Sequence, residues 1–264
     1  MTSTPHIPQA AGERAPVALV TGAGRRLGRA IALGMARAGW DIALHYRSAQ
    51  QEAQQAAEEI RALGRRAVTL HAELSDEAMV RGLLPAAVKE LGAVDCVVNN
   101  ASLFDYDGAA DFSMARLDAH MRCNVGAPLL LAQALHAATP EGGQAVVVNL
   151  LDQKLYNLNP DFLSYTLSKA ALDTATTMLA QALAPKLRVV GVAPGITLVS
   201  GDQSEQGFAK AHTRTPLGRS STPEDIVQAV LYAATARAVT GTTLLVDGGQ
   251  HLQASPRDVM FLTQ

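Results

Sequence analysis

The stretch VALVTGAGRRLG, Val17 to Gly28, joins four apolar residues to a glycine-rich turn and runs on into a helical pattern. Leu27, Ile31, Met35 and Ala38 recur at the spacing of one helix face, and Gly39 closes that run. A short buried strand, a turn with glycines at 22, 24 and 28, and a helix together open a βαβ unit. Glycines there let the backbone turn tightly and approach a pyrophosphate, whose charge the helix N-terminus stabilises. One segment therefore predicts both a parallel sheet and a dinucleotide site.

Outward from this segment the same alternation continues. The strand DIALHY (residues 41–46) leads into a helix from about Ala49 to Leu63, with Gly64 as its cap. AVTLHA, VDCVVNN, QAVVVNLL and LRVVGVAP supply four further strands, each separated by a helix-sized segment. TTLLVDGG follows a helix opened by Thr222 as cap and Pro223 in the first helical position. The strands are apolar almost throughout, as in a parallel sheet covered on both faces. The expected fold is α/β: a single-domain Rossmann-type doubly wound parallel sheet of about seven strands with helices on both faces. Residues 1–15 read as a flexible tail and 16–264 as one Rossmann-type domain, within which the polar stretch 197–215 is a candidate lid.

A chain of 264 residues with 48% hydrophobic content has material for such a core. Its net charge of -2, without a basic run, lacks the footprint of a nucleic-acid binder, so no nucleic-acid partner is expected. The N-terminus lacks the apolar core of a secretory signal, and no segment reaches the roughly 18 apolar residues of a membrane span. A cytoplasmic protein with a small-molecule substrate and no membrane partner is expected. Cys96 and Cys123 lack metal-clip spacing and read as buried thiols, and no metal is expected.

The end of the second strand decides between the two nicotinamide cofactors. An NAD site places an acid there to bond the ribose hydroxyls. Asp41 stands at the start of the strand, at the opposite end of the sheet, and the strand finishes His45, Tyr46, Arg47, Ser48. Arginine suits a ribose 2'-phosphate in a planar, multidentate contact. Arg47 and Ser48 are therefore the leading phosphate ligands, with Arg26 in the glycine loop, and NADPH is the expected cofactor.

YTLSK places Tyr165 and Lys169 four residues apart, on one face of a helix. A free tyrosine has a pKa of about 10, and a nearby ammonium lowers it. The run VVVNLLDQK ends an apolar strand on Asp152. That carboxylate is either a turn starter or a catalytic acid, and the segment alone leaves both open.

TGAGRRLG, NNAS, CNVGAP, YTLSK, APG and VDGG occur in this order along the chain. In these motifs it resembles the short-chain dehydrogenase/reductase family over nearly its whole length. The resemblance implies Tyr165 as proton donor, Lys169 as its electrostatic and ribose-binding partner, and Asn124 as support for a water relay. It also implies cofactor contacts from Gly22, Gly24, Leu27, Gly28, His45, Glu73, Leu74, Asn100, Ala101, Pro194 and Gly195, and a dimer or tetramer.

Asp152 stands where that family usually has a serine, thirteen residues before the tyrosine. A carboxylate facing a simple ketone oxygen would oppose the negative charge that develops there, unless it were protonated. It suits a substrate whose ring nitrogens need a proton. The pteridine reductases and dihydromonapterin reductases share this aspartate, and they are similar also in Arg26-Leu27-Gly28, His45 to Ser48, and Asn99 to Ser102 followed by Phe104. This similarity implies a pterin substrate stacked by Phe104, contacts from Ser102 and Arg26, and proton handling by Asp152 with Tyr165. Reduction of a 3-oxoacyl thioester, sugar or xenobiotic ketone is the alternative, and a non-catalytic NADPH-binding sensor is a further one. Lys210, His212 and Arg214 in the lid, Tyr156, Asn157 and Asn159 after Asp152, and the tail beyond His251 have no assigned role at this level.

Overall fold

The structure, a computed structural model, describes residues 14–199 and 205–262. Most of the expected N-terminal tail and the centre of the expected lid lie outside the described residues.

Seven strands form one sheet: β1 (Val17–Val20), β2 (Asp41–Tyr46), β3 (Ala67–His71), β4 (Cys96–Asn99), β5 (Ala145–Leu150), β6 (Leu187–Pro194) and β7 (Thr243–Val246). Their order is β3-β2-β1-β4-β5-β6-β7 and every pairing is parallel. The doubly wound arrangement expected from the apolar strands is therefore present. The chain reverses its direction across the sheet between β1 and β4, where Leu19 pairs with Val97.

Helices α1 (Arg26–Arg37), α2 (Gln50–Ala62) and α8 (Pro223–Thr235) contribute to one layer; α3 (Glu77–Leu91), α5 (Ala127–Ala138) and α6 (Leu163–Ala182) contribute to the other. Two shorter helices, α4 (Met114–Met121) and α7 (Glu205–Thr213), border the site, and α9 (Val259–Leu262) lies near the C-terminus. Side chains alternate across β1: Ala18 and Val20 join Ile31, Met35 and Ile226 in one core, while Val17 and Leu19 join Leu83, Leu131 and Leu135 in the other. Each large aliphatic side chain so buried contributes roughly 1.5–3 kcal/mol.

Side chains close the N-termini of α3, α4 and α8, with Ser113 accepting from the Arg116 amide at α4. Asp76 accepts from the Met79 amide at the start of α3, and Thr222 with Asp225 forms a reciprocal capping box on α8. At α1 no side-chain cap bond is made and the first turn holds no acid. The expected lid contains a helix, α7, rather than loop alone.

Candidate active site

The bare end of α1 faces the glycine loop. Gly22 takes a left-handed backbone, φ +64°, and a Cβ at Gly28 would lie 2.1 Å from the Gly22 carbonyl oxygen. The close approach therefore requires glycine. The Gly22 amide donates to His45 Nδ1 at 3.0 Å, and His45 Nε2 lies 3.1 Å from the Ala72 carbonyl. Both ring nitrogens of His45 are engaged and the residue is buried, so its side chain shapes the loop from beneath instead of reaching outward. Burial also pushes its pKa down, favouring the neutral ring. Asn100 Nδ2 donates to the Thr21 carbonyl at 2.9 Å, and the Ala101 amide donates to Thr21 Oγ1 at 3.0 Å, which ties the loop to the end of β4. Arg26 holds a left-handed backbone, φ 51°, and lines the cavity described below. Arg47 and Ser48 are exposed beyond β2, while Ala49 beside them lies against Gly24. Asp41 sits at the far end of β2, paired with Arg65 and Arg66 at 2.8 and 2.7 Å. Glu73 is half-buried, and Leu74 is a core residue.

Beyond the carboxyl end of β5, Asp152, Tyr165 and Lys169 come together. The Tyr165 hydroxyl donates to Asp152 Oδ2 at 2.8 Å, and the Lys154 amide donates to Oδ1 at 2.8 Å. Lys169 Nζ donates to the Leu150 carbonyl at 2.7 Å and lies 5.7 Å from the Tyr165 ring centre. Burial raises the Asp152 carboxyl above the ordinary carboxylate range, against the bonds from Lys154 and Tyr165. Burial also lowers the Lys169 ammonium to about 8, against the pull of Asp152. Tyr165 is pushed well above 10 by burial and then by the adjacent Asp152. The expectation that Lys169 lowers the Tyr165 pKa is thus corrected: loss of water and a neighbouring carboxylate outweigh the more distant ammonium.

Asn124 lies in a π-helical turn, Arg122–Gly126, between α4 and α5. Its Oδ1 accepts from the Leu103 amide at 2.7 Å, while Nδ2 donates to the Leu103 carbonyl at 3.0 Å and to Ser168 Oγ at 2.9 Å. One turn earlier, buried His120 Nε2 accepts from the Asp105 amide at 3.3 Å. These contacts fix the residues on either side of Phe104. The Phe104 ring stacks on Phe162, with centres 4.2 Å apart, and meets Tyr165 edge-on at 4.6 Å. It remains 39% exposed and lines the cavity, so it has accessible ring surface even though Phe162 stacks on it. Ser102 is exposed, bonds the Leu103 carbonyl at 3.2 Å and does not line the cavity.

The cavity has a volume of about 440 Å³. Asp152, Tyr165, Phe104 and Arg26 line it, as do Pro194 and Gly195 at the end of β6. Asn157 and Asn159 also line it; Tyr156 instead meets His251 edge-on. From the lid segment come Ala211 and Arg214. Cys96 is fully buried and its thiol is pushed up to about 12, whereas Cys123, expected to be buried, is only partly so. Among the described residues no helix is long and apolar enough to cross a membrane, and no cluster of metal-ligating side chains occurs.

The sequence motifs locate the glycine loop, Asp152, Tyr165, Lys169, Asn124 and Phe104 at one end of the sheet, and the structure brings them together there. Sequence reasoning missed His120, Ser168, and the cavity wall built by residues 250–260. A lone buried histidine has no spacing signature, and the tail carries no periodicity that would announce a wall.

Comparison with known proteins agrees with this geometry. The profile of the family described as enoyl-(acyl carrier protein) reductase matches residues 22–251. An uncharacterised oxidoreductase of Methylorubrum extorquens is 33% identical, covering 88% of this chain and 96% of the relative. The 2-dehydro-3-deoxy-D-gluconate 5-dehydrogenase of Escherichia coli is 32% identical, over 88% and 94%. Among solved structures, FolM alternative dihydrofolate reductase 1 from Brucella canis, complexed with NADP, is 38% identical with a TM-score of 0.86, over 92% of this chain and 97% of that one. With a profile match over most of its length and a parallel seven-stranded sheet ending in this constellation, the chain belongs to the short-chain dehydrogenase/reductase family.

Proposed function

We propose that the protein is an NADPH-dependent reductase of dihydropterins, of the dihydromonapterin or dihydrobiopterin type. The observation that carries this reading is the Tyr165–Asp152 hydrogen bond at 2.8 Å inside the cavity. The family's usual serine would offer a substrate only a hydroxyl. Asp152, with its pKa raised by burial, offers a carboxyl that holds a proton more readily than an exposed one. That chemistry suits a basic ring nitrogen and does not suit a ketone oxygen.

The residues fit the cofactor. The uncapped, acid-free end of α1 and the approach at Gly28 suit a pyrophosphate. Arg47 and Ser48, exposed at the end of β2, suit the 2'-phosphate, and the arrangement of Asp41 at the other end leaves no competing acid there. When bound, NADPH supplies the hydride. Lys169 holds ribose hydroxyls, and its charge stabilises the negative character that develops on the Tyr165 oxygen as its proton leaves. Asp152 and Tyr165 pass a proton to the nitrogen beside the reduced carbon, while Asn124 holds the Leu103–Asp105 strand so that Phe104 presents its ring to the flat substrate. Arg26 contacts pterin or cofactor phosphate; Ser102, which does not line the cavity, is left out of the substrate contacts. The FolM relative, named as a dihydrofolate reductase and complexed with NADP, supports the reading.

A homo-oligomer, dimer or tetramer, in the cytoplasm belongs to the same proposal. Leu167 and Met178 on α6 are 47% and 63% exposed, which suits a second copy.

The deciding experiment follows oxidation of NADPH, with NADH in parallel, using dihydromonapterin, dihydrobiopterin and dihydrofolate against acetoacetyl thioester and simple ketones. Turnover of the dihydropterins with preference for NADPH is expected. Turnover of carbonyl compounds alone would replace this reading by that of a carbonyl reductase.

A further inference from the structure

The C-terminal segment beyond β7 returns over the site. Gln253, Ala254, Arg257, Asp258 and Met260 line the same cavity as Asp152 and Tyr165. Two latches hold this segment on the body of the protein. Arg257 donates to both Asp161 carboxylate oxygens at 3.0 and 2.8 Å, and the Asp258 amide donates to Asp161 Oδ2 at 2.6 Å. Lys154, 3% exposed, donates from Nζ to the Asp161 carbonyl at 2.6 Å and reaches Asp258 Oδ2 at 3.2 Å. Phe261 completes the seal, 5.5 Å from the Tyr106 ring centre and 6.2 Å from Phe162, the ring on which Phe104 stacks.

The placement of Lys154 gives these latches a consequence. Its backbone amide bonds the Asp152 carboxylate and its side chain grips the segment, so one residue joins the cavity wall to the proton-handling group. A buried ammonium needs its counter-charge, and Asp258 supplies it. Unlatching the segment would remove one wall of the cavity and take the Asp258 carboxylate from Lys154, leaving it the Asp161 carbonyl.

We infer that residues 253–262 are a specificity-determining strap: latched by Asp161 and Lys154, they form the outer wall that bounds and orients the ring system of the substrate, within the same chain as Asp152. The inference rests on the reductase reading for the identity of the substrate and on the latch geometry for the strap itself. The strap is assigned to the substrate side because its latch partners, Asp161 and Lys154, follow β5 and stand apart in the chain from the glycine loop and the end of β2.

The test uses the full-length protein, Arg257→Ala, Asp161→Ala, their double variant, Arg257→Lys, and a chain ending at Ser255. Steady-state kinetics with a dihydropterin and the dissociation constant of NADPH are measured for each. KM is expected to rise about tenfold or more in Arg257→Ala and further in the shortened chain, with a smaller fall in kcat and an unchanged NADPH constant. The double variant should match Asp161→Ala, which already removes the partner of Arg257 along with that of the Asp258 amide, and Arg257→Lys should recover part of the loss. An unchanged KM in the shortened chain would overturn the strap. So would loss of NADPH binding in parallel with KM, which would mean a general scaffold role. If the parent fails on every dihydropterin, the reductase reading falls, and the same variants assayed on whichever carbonyl compound it reduces still decide the strap.

Discussion

Asp41 and Asp152 belong to the same sheet and meet opposite surroundings. Asp41 opens β2 and is buried, but two arginines and the Arg66 amide bond it. Although burial alone would raise its pKa, those bonds hold it below the usual carboxylate range. Asp152 follows β5 at the other end, with a phenol and one amide as its partners and no arginine, and its pKa is raised. One end of the sheet neutralises its charges as they fold, and the other leaves a proton to be moved. The contrast teaches where to look for chemistry in this fold: strand ends whose polar groups have partners too weak to fix their charge.

The largest test of that contrast is Tyr165→Phe. It removes the hydroxyl that donates to Asp152, and kcat is expected to fall by roughly 100- to 10,000-fold, the usual worth of a placed proton donor. NADPH affinity, measured by fluorescence titration, should change little. Asp152→Ser restores the family's hydroxyl and should lower kcat/KM for dihydropterin by about 10- to 100-fold, the scale of a hydrogen bond to a charged group. Dihydropterin reduction at the parent rate would end the catalytic reading of Asp152.

Thermal and urea unfolding of Asp41→Asn and Asp152→Asn should sharpen the comparison, because the two changes are expected to have opposite signs at neutral pH. Asp41 has a folded pKa below its unfolded value of about 4. Its stabilisation is complete above pH about 4 and is lost as pH falls through the folded pKa. Asp41→Asn should therefore cost about 1–3 kcal/mol at pH 7, discounted from a fully buried pair because both arginines are partly exposed. Asp152 has a raised folded pKa, so its ionisation weakens the fold as pH rises from about 4 through that value. Asp152→Asn should leave the protein as stable as the parent or more so at pH 7, while lowering its activity. Destabilisation by both variants would erase the distinction.

The smallest expected effect is a pH limb. Burial lowers the Lys169 ammonium to about 8, and kcat/KM is expected to decline above that pH. Lys169→Arg keeps a charge throughout, and should move the limb upward even if its longer head lowers the maximum.

Much of this was legible before any coordinates. VALVTGAGRRLG announced the first βαβ unit because glycine spacing and helical periodicity are local properties, and the parallel sheet follows from strands that are apolar on both faces. Asp41 could be set aside from position alone, since strand direction fixes which end of β2 it occupies. Tyr165 and Lys169 came from one helix, where spacing is geometry. The Tyr165–Asp152 hydrogen bond was harder. The direction of the Tyr165 shift depends on how completely β5, β6 and α6 exclude water, which no spacing records. His45 was placed among the cofactor contacts by motif, yet its ring bonds Gly22 and Ala72 internally, a matter of which side of the loop it lies on. The tail beyond His251 carries no role at the level of sequence because its partners, Asp161 and Lys154, are about a hundred residues away along the chain.

The reversal of chain direction between β1 and β4 also governs how the protein assembles itself. Ala18 pairs with Cys96 across nearly eighty residues, and none of the seven strands is joined to its neighbour by a hairpin. Contacts so distant along the chain must close large loops before they contribute, so folding belongs to the slow class of topologies. The glycine loop comes from the first half of the sequence and Tyr165 with Lys169 from the second. A dinucleotide that touches both halves therefore binds only after they have docked. At a hundred times its dissociation constant it would hold the folded state by about 2.7 kcal/mol. A rise in melting temperature on adding NADPH would register the joining of the two halves.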